Sequence, residues 1–206
     1  PSRLLRNAFH IPAKDPSERE ASLESIPAYS KGWVEVQDAG SQIAAAAANA
    51  QPGEQVLDYC SGGGGKTIAL ASQMKGKGQI FAYDIDGKRL SALIPRLKRS
   101  GATNVQLVHP SEPVQLDTLT GLMDCVMVYA TCSFLMEEDE DRVAEFLESH
   151  PEFTEEDAAA AAIASGLLTD EGANIVQRFR MPTGSVRLTP HRARTDGFFF
   201  AVLRRA

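Results

Sequence analysis

Cys132 is the residue whose surroundings in the sequence most clearly suggest chemistry. It lies in the segment of residues 129–133, directly after a predicted strand and just before a run of acidic residues that suits a helix N-terminus. Open α/β sheets place their chemistry at the carboxyl edge of their strands, and this position favours a nucleophile. Most free cysteines are instead small buried core residues, and the residues alone leave that interpretation open.

A second candidate is the glycine-rich run of residues 60–66, which precedes a predicted helix from Lys66 to Met74. A strand, a glycine turn and a helix form the first step of a nucleotide-binding α/β unit. Glycines allow positive φ angles and let a ligand approach where a Cβ would clash. The sequence therefore predicts a binding loop at the end of a first strand, which contains Val56 and Leu57.

Three interpretations of this run compete. A merely flexible loop is disfavoured, because an apolar strand and a helix enclose it. A phosphate-binding P-loop is suggested by the Gly-Lys-Thr sequence that ends at Thr67, but that motif needs a glycine where Cys60 stands. A site for the adenosyl part of a cofactor such as S-adenosylmethionine needs an acidic residue about twenty residues further on, at the end of the next strand. Asp84 ends the predicted strand of residues 79–84 and fits this third interpretation.

Composition narrows the class of protein. The chain has 206 residues, 43% of them hydrophobic, which suits one compact α/β domain with a sizeable core. Its net charge of −6 excludes a chain-wide electrostatic surface for nucleic acid, so any such binding needs a local patch. The three widely spaced cysteines show no zinc spacing and suit a reducing compartment, and we expect no metal. Without a signal peptide or a membrane-spanning run, we expect a cytoplasmic protein.

The order of predicted elements indicates an α/β fold with a doubly wound, mostly parallel sheet. Residues 1–30 are polar and contain prolines, and we interpret them as a lead-in or linker. Because the chain starts at Pro1, one interpretation is that they are the remnant of a lost N-terminal RNA-binding domain. Residues 31–206 form the predicted main domain.

Hydrophobic periodicity predicts the remaining elements. A helix with the small residues 44–48 is capped by Asp38 or Ser41. Another helix, over residues 88–99, is expected to kink or break at Pro95. Further strands are predicted over residues 33–37, 105–108, 123–128 and 197–203, and a helix from about residue 137 to 149.

Positive charge concentrates near the C-terminal end of this acidic chain. Surface arginines are common, but six basic-type positions within seventeen residues predict a phosphate-contacting patch. The patch leads directly into the predicted last strand. Its members are Arg178, Arg180, Arg187, His191, Arg192 and Arg194.

Five segments, taken together and in this order, match one known family. They are residues 32–38 with 40–42, residues 58–67, Asp84 with Arg89, residues 129–133 with the acids that follow, and residues 187–191 with 196–199. On these segments the chain resembles the Sun/Fmu-type RNA cytosine-C5 methyltransferases, and the resemblance covers residues 32–206.

The resemblance implies a Rossmann-like methyltransferase fold that uses S-adenosylmethionine and acts on RNA, ribosomal rather than transfer RNA. Cys132 corresponds to the nucleophile, which adds to cytosine C6 so that C5 can take the methyl group. The target base has to be unstacked to reach it. Asp84 corresponds to the ribose-binding acid. The implied cofactor site also contains Cys60, Ser61, Gly62, Gly63, Gly64, Gly65 and Lys66, and the basic patch supplies the candidate RNA-binding residues Arg187, His191, Arg192 and Arg194.

One part of the family pattern is missing. Family members carry the motif Asp-Ala-Pro-Cys-Ser-Gly and then a helix and a strand, whereas Val128 leads directly into the Thr-Cys segment. Cys125 does not match the missing cysteine, and we predict that it is a core residue. Either a segment near residues 125–129 is absent from the given sequence, or the protein has lost it. Because loss would remove a central strand from the sheet, the first explanation is favoured.

Two alternative functions remain. The same fold without its second cysteine motif predicts a catalytically impaired RNA- or cofactor-binding module. A P-loop nucleotide hydrolase ranks third, because the motif lacks its first glycine. The sequence leaves open which RNA and which cytosine are modified, and the oligomeric state.

Overall fold

The structure is a computed structural model that describes residues 1–11, 23–112, 114–124 and 127–205. The chain divides into two compact units. Unit 1 contains Pro1 and residues 8–37 and 52–123, and unit 2 contains residues 2–7, 38–51 and 124–206. Each unit contains its own β-sheet.

Seven strands and ten α-helices are found in the described ranges. The strands are β1 (Gln55–Asp58), β2 (Gln79–Tyr83), β3 (Val105–Val108), β4 (Met127–Thr131), β5 (Phe153–Glu156), β6 (Val186–Leu188) and β7 (Phe198–Arg205). The helices are α1 (Pro27–Ser30), α2 (Ala39–Ala47), α3 (Gly65–Gln73), α4 (Gly87–Ser91), α5 (Leu93–Ser100), α6 (Val114–Asp117), α7 (Glu140–Ser149), α8 (Ala158–Ala164), α9 (Asp170–Arg178) and α10 (Pro190–Ala193).

Unit 1 is built on a parallel sheet with the strand order β1-β2-β3. The register pairs Ile80 of the central strand with Val56 on one side and Val105 on the other. The central strand is apolar from Ile80 to Ala82 because a parallel strand is buried on both faces. Leu90 of α4 packs against Ala82. The parallel sheet with its helices confirms the predicted fold class.

The predicted helix over residues 88–99 is two helices, α4 and α5, and the break lies at Ala92 rather than at Pro95. Pro95 is the third residue of α5. The first four N–H groups of a helix have no intrahelical partner, so a proline is tolerated at this position. Gly101 ends α5 with a φ of 71°, as the sequence predicts for a helix C-terminus.

The strand predicted over residues 33–37 is wrong: this segment forms no strand. The side chain of Trp33 is 73% exposed. Glu35 is instead held by ion pairs, 3.3 Å to Arg96 Nη2 and 2.5 Å to Arg99 Nη2, both from α5. The segment is therefore fixed by side-chain charge rather than by strand pairing.

Unit 2 is built around β7, which pairs antiparallel with β4 on one edge and with β5 and β6 on the other. The strand predicted over residues 123–128 appears as β4, somewhat later in the chain and in this antiparallel sheet rather than beside the parallel strands. Val143 of α7 packs against Phe199 and Leu203 of β7. Cys125, predicted to be in the core, lies outside the described residues.

The first residues of the chain are part of unit 2 rather than only a lead-in. Leu4 and Leu5 are buried, and Leu5 forms an isolated bridge with Leu168. The predicted cap of α2 is Asp38, whose carboxylate accepts a hydrogen bond of 3.1 Å from Ser41 N. Among the helices of the described residues, none is long and apolar enough to cross a membrane.

Candidate functional site

The glycine loop, defined here as residues 59–64, connects β1 to α3. Its backbone is tied to the end of β2, since Ser61 N donates to Tyr83 O at 2.9 Å. Gly62 N donates to Asp84 Oδ2 at 2.8 Å. The loop and Asp84 therefore meet at the carboxyl edge of the parallel sheet, as the sequence predicts.

Asp84 is held firmly by the backbone. Its side chain is buried, and its second oxygen, Oδ1, accepts a 2.9 Å hydrogen bond from Asp86 N. Each carboxylate oxygen has two lone pairs, so both keep capacity for a further donor such as a hydroxyl group. Asp86 in turn caps α4, accepting from Lys88 N and Arg89 N.

Gly64 is required by packing against α5. Its φ is +83°, and a Cβ built on it would lie 1.9 Å from Leu93 Cδ1. Arg96 of the same helix donates a hydrogen bond to the carbonyl oxygen of Gly63 and also pairs with Glu35. Residues of α5 thus hold the glycine loop at Gly63 and Gly64. The sequence did not predict these contacts.

Thr67 shows that this loop is not a P-loop. Its side chain is fully buried, and its hydroxyl donates to Asp58 Oδ2 at 2.6 Å. In a P-loop, the hydroxyl at this position binds the magnesium ion. Burial raises the pKa of Asp58, against the opposing effect of the Thr67 hydrogen bond. The Thr67 hydroxyl therefore donates to a residue of the protein itself, in place of the magnesium contact of a P-loop.

Cys60 of the glycine loop is an exposed free cysteine. The pKa of its thiol is raised, first by partial burial of the sulfur and then by the negative charges of Asp84 and Asp58. A raised pKa keeps the group protonated at neutral pH, and thiolates rather than thiols are nucleophiles. Cys60 is therefore suited to line a site and not to attack a substrate.

An open groove adjoins Asp84 at the ends of β2 and β3. Ile85 projects into solvent with 84% of its surface exposed. His109 Nδ1 and Ser111 Oγ are 2.7 Å apart, in the segment directly after β3. The groove is lined by Ile85, Asp86, Gly87, Lys88, Ser91, His109, Pro110 and Ser111.

Cys132 follows β4 directly and is exposed, so the interpretation as a buried core residue is wrong. It begins the cysteine loop, defined here as residues 132–139. Ser133 N donates to Thr131 Oγ1 at 2.7 Å, and Leu135 N donates to Ser133 Oγ at 3.1 Å. These hydrogen bonds give the segment a defined turn and leave the thiol accessible.

The end of the cysteine loop contains a buried charge. Asp139 is fully buried, and Arg187 Nη2 lies 3.0 Å from its Oδ2. Burial raises the pKa of Asp139 to about 6, although the positive charge of Arg187 acts in the opposite direction. Arg187 also pairs with Glu140. Neither this network nor the Glu35–Arg96 pair was predicted, because no local sequence pattern connects residues so far apart.

The four candidate RNA-binding residues of the predicted basic patch divide into two groups. His191 and Arg192 of α10, together with Arg194 after it, are exposed. Arg187 is only 21% exposed and is engaged by acidic residues of its own chain, so the structure gives it a role inside the protein. Within the described ranges, no group of three or more His, Cys, Asp or Glu residues is arranged to hold a metal ion.

Comparison with known proteins gives the family. The family model described as 16S rRNA methyltransferase RsmB/F matches residues 45–124 and 115–204. The chain belongs to this family. The assignment agrees with the predicted resemblance to the Sun/Fmu-type enzymes.

Two relatives illustrate the extent of the match. The probable ribosomal RNA small subunit methyltransferase B of Synechocystis is 26% identical over 91% of this chain and 51% of its own length. Ribosomal RNA small subunit methyltransferase B of Salmonella dublin is 31% identical over 66% of this chain and 43% of its own. The chain therefore spans about half the length of the relatives it matches.

Solved structures confirm the Rossmann-like methyltransferase fold. A methyltransferase homologue from Pyrococcus horikoshii superposes with a TM-score of 0.68 at 25% identity, covering 92% of this chain and 74% of that one. NSun6 from the same organism, solved with SFG, superposes with a TM-score of 0.69 at 22% identity, covering 90% of this chain and 56% of that one.

The alignments also show a length difference inside the matched region. The alignment with the Synechocystis protein has 246 positions, whereas 91% of this 206-residue chain is about 187 residues. About 59 positions of that relative thus have no counterpart in this chain. The two stretches matched by the family model overlap at residues 115–124.

Proposed function

We propose that this chain is the methyltransferase part of an RNA cytosine-C5 methyltransferase that uses S-adenosylmethionine and acts on ribosomal rather than transfer RNA. The observation that carries the proposal is the exposed thiol of Cys132 at the carboxyl end of β4, in a chain of the RsmB/F family. The other described cysteine, Cys60, has a thiol pKa raised by burial and by the negative charges of Asp84 and Asp58.

The glycine loop and Asp84 fit the cofactor. The buried carboxylate of Asp84 retains acceptor capacity for ribose hydroxyls, and the exposed side chain of Ile85 offers an apolar surface for adenine. The methionine part would lie along the loop, near Cys60 and Lys66. S-adenosylmethionine supplies an electrophilic methyl group bound to a sulfonium sulfur.

Cys132 supplies the chemistry that cytosine lacks. After its thiol has lost its proton, the sulfur adds to C6 of the target cytosine, and the electron pair of the C5–C6 double bond becomes available at C5. C5 would then form the bond to the methyl group, while the S–CH3 bond of the cofactor breaks and its electron pair stays on the sulfur. A base removes the C5 proton, the double bond re-forms and the thiolate leaves. The base must be unstacked from the RNA to reach Cys132.

Three exposed basic residues are the proposed RNA contacts: His191, Arg192 and Arg194. Arginine side chains bind phosphate groups without sequence preference, so they position RNA rather than select the cytosine. Arg187, which the sequence grouped with them, is not part of this proposed contact, because Asp139 and Glu140 already engage it.

The test is transfer of a radioactive methyl group to in-vitro-transcribed 16S rRNA. We expect Cys132→Ala to abolish transfer and to leave S-adenosylmethionine binding within about twofold of the parent. Cys60→Ala is the matched variant of the other described thiol, and we expect it to retain transfer, with any loss confined to the KM for the cofactor. A fully active Cys132→Ala protein rules out the proposed nucleophile.

RNA that contains 5-fluorocytosine sharpens the test. A fluorine at C5 cannot leave as the proton does, so the thiolate is not released and a covalent complex accumulates. We expect this complex with the parent protein and with Cys60→Ala, and not with Cys132→Ala. Mass spectrometry of the cross-linked peptide identifies the attached cysteine.

A second candidate function follows from the length difference. About 59 positions of the Synechocystis relative lack a counterpart here, and the family model matches this chain in two stretches that overlap at residues 115–124. We infer that the missing motif belongs to this region. If the natural protein lacks it, the chain is a catalytically impaired RNA- or cofactor-binding module, which binds S-adenosylmethionine and forms no complex with the fluorinated RNA.

A further inference from the structure

The strand registers of unit 2 place three side chains in one row across the sheet. Phe199 of β7 is opposite Thr131 of β4 on one side and opposite Arg187 of β6 on the other. Residues directly opposite each other in antiparallel strands have their side chains on the same face. Arg187 therefore lies on the face that carries Thr131, the residue immediately before Cys132.

Arg187 reaches the cysteine loop at two points. Its Nη1 donates a 3.3 Å hydrogen bond to the carbonyl oxygen of Phe134, two residues after Cys132. Its Nη2 lies 3.0 Å from Asp139 Oδ2 at the far end of the loop and also pairs with Glu140, the first residue of α7. One guanidinium group thus joins the middle of the loop to its end.

Two further contacts restrict the same loop. The ring of Phe134 lies against Gly197, where a Cβ would come within 2.2 Å of Phe134 Cζ. Tyr129 Oη donates to the carbonyl oxygen of Glu138 at 2.6 Å. With Ser133 N bound to Thr131 Oγ1, the backbone beside Cys132 has contacts before and after the thiol.

We propose that Arg187 is a positioning residue for Cys132: it holds the cysteine loop through Phe134 and Asp139 and so fixes the direction from which the thiol meets its substrate. The effect of Arg187 on catalysis rests on the proposed function, whereas its effect on the cysteine loop does not. Arginine suits this task because its planar fork donates in several directions at once, which a lysine ammonium on a flexible stem does not do.

The geometry also separates this role from RNA binding. A residue that contacts phosphate has to present its charge to solvent, whereas Arg187 is 21% exposed and faces two carboxylates. Arg187 Cζ is 5.8 Å from the centre of the Phe199 ring, so an aromatic ring covers it on one side. Removal of Arg187 should therefore change the catalytic step and not the affinity for RNA.

Amide hydrogen exchange tests the loop without requiring activity. We expect Arg187→Gln to accelerate exchange in the peptide of residues 131–138 about tenfold, because the contact with Phe134 is lost. The matched control is Arg204→Gln, which breaks an exposed ion pair with Glu156 on the same sheet and should leave this peptide unchanged. Unchanged exchange in a folded Arg187→Gln protein overturns the proposal.

Arg187→Lys is the second variant, used also if Arg187→Gln does not fold. It keeps the charge beside Asp139 and Glu140, but a single ammonium group does not replace the fork that also reaches Phe134. We expect a melting temperature close to that of the parent together with accelerated exchange in the same peptide. If amide exchange in Arg187→Lys equals that of the parent, a positive charge at this position is sufficient to hold the cysteine loop. The proposed role of the hydrogen bond to Phe134 is then wrong.

Steady-state kinetics with 16S rRNA test the catalytic consequence. We expect kcat to fall at least tenfold in Arg187→Gln, while the KM for RNA stays within about twofold, because a displaced nucleophile slows the reaction after binding. A raised KM with an unchanged kcat overturns the proposal and restores Arg187 to the RNA-binding patch. A parent protein without methyl transfer refutes the proposed function, and the exchange measurement then decides the loop-positioning role alone.

Discussion

The glycine loop and the cysteine loop both follow the carboxyl end of a strand, but they are fixed by different means. The glycine loop has the buried side chain of Leu93 against Gly64, where not even a methyl group fits. The cysteine loop is fixed instead by hydrogen bonds and ion pairs, in which Arg187 contacts Phe134 and the buried carboxylate of Asp139. The first loop therefore depends on shape and the second on the state of ionisable groups.

This difference suits the proposed roles of the two loops. A cofactor that always has the same shape can be bound by a rigid backbone, such as that of the glycine loop. A nucleophile that must meet a base taken out of RNA has to stay exposed, so apolar packing cannot cover it. Ion pairs beneath the loop can hold it from one side and leave the thiol free. Substitutions in the two loops are accordingly expected to show different signatures.

The largest effect is expected for Gly64→Ala. At a φ of +83°, an added Cβ meets Leu93 Cδ1 at 1.9 Å, so backbone strain and overpacking act together. We expect the free energy of unfolding to fall by about 2–4 kcal/mol. Denaturant unfolding followed by circular dichroism measures it.

Gly101→Ala is the control for backbone strain. Its φ is +71°, and no atom lies within 4 Å of the added Cβ. We expect a loss of only about 1 kcal/mol, from the left-handed backbone alone. Equal losses at both glycines would mean that Leu93 gives way, and the glycine loop would not be fixed by shape.

The cysteine loop should instead respond to pH, and Asp139→Asn tests this. The pKa of about 6 in the folded protein lies above the ordinary value of 3.8, so the folded state binds this proton more tightly than the unfolded state. Stability from this group is fully present below pH 4 and is lost as the pH rises through 6. We expect the stability of Asp139→Asn relative to the parent to increase by up to about 3 kcal/mol between pH 4 and pH 7.

Glu137→Gln is the control, because it removes an exposed carboxylate from the same loop. Exposed side chains contribute little to the free energy of unfolding, so this substitution should change the stability by no more than about 0.5 kcal/mol at each pH. Urea unfolding at several pH values measures both variants. If the difference in stability between Asp139→Asn and the parent does not change with pH, the pKa of the Asp139 carboxyl is not raised in the folded protein.

The smallest effect is expected for Asp84→Asn at the edge of the glycine loop. An amide can still accept at one atom, but its NH2 group faces one of the two backbone donors, Gly62 N or Asp86 N. We expect the Kd for S-adenosylmethionine to rise about tenfold, equivalent to about 1.4 kcal/mol. Isothermal titration calorimetry measures it.

Asp86→Asn distinguishes the two neighbouring acids. Asparagine caps a helix as well as aspartate does, so α4 should be unaffected and the Kd should stay within about threefold. A larger loss of affinity in Asp86→Asn than in Asp84→Asn would move the proposed ribose contact to Asp86.

Unit 1 was more predictable from sequence than unit 2, for a physical reason. Asp84 lies only 22 residues from its partner Gly62, and the strand, glycine and acid form a local pattern. Arg187 lies 53 residues from Phe134, and no periodicity connects them. Arg187 was therefore grouped with basic neighbours in the sequence, although the fold directs it to an acidic pair.

The error at residues 33–37 has a similar origin. Alternation of apolar and polar residues predicts a strand only if a partner strand is available, and this segment instead meets Arg96 and Arg99 through Glu35. The family resemblance identified the candidate site because its motifs are local. The contacts that hold those motifs in place became visible only in the structure.

The position of β7 has a consequence for synthesis on the ribosome. β4, β5 and β6 all pair with β7, and β7 follows each of them along the chain. All strands of the unit 1 sheet are available once Val108 has emerged, whereas the sheet of unit 2 has no central strand until residues 198–205 are available. The proposed nucleophile Cys132 is thus translated before the strand around which its sheet is built, so a chain without β7 contains the glycine loop and Cys132 but lacks the sheet that positions the cysteine.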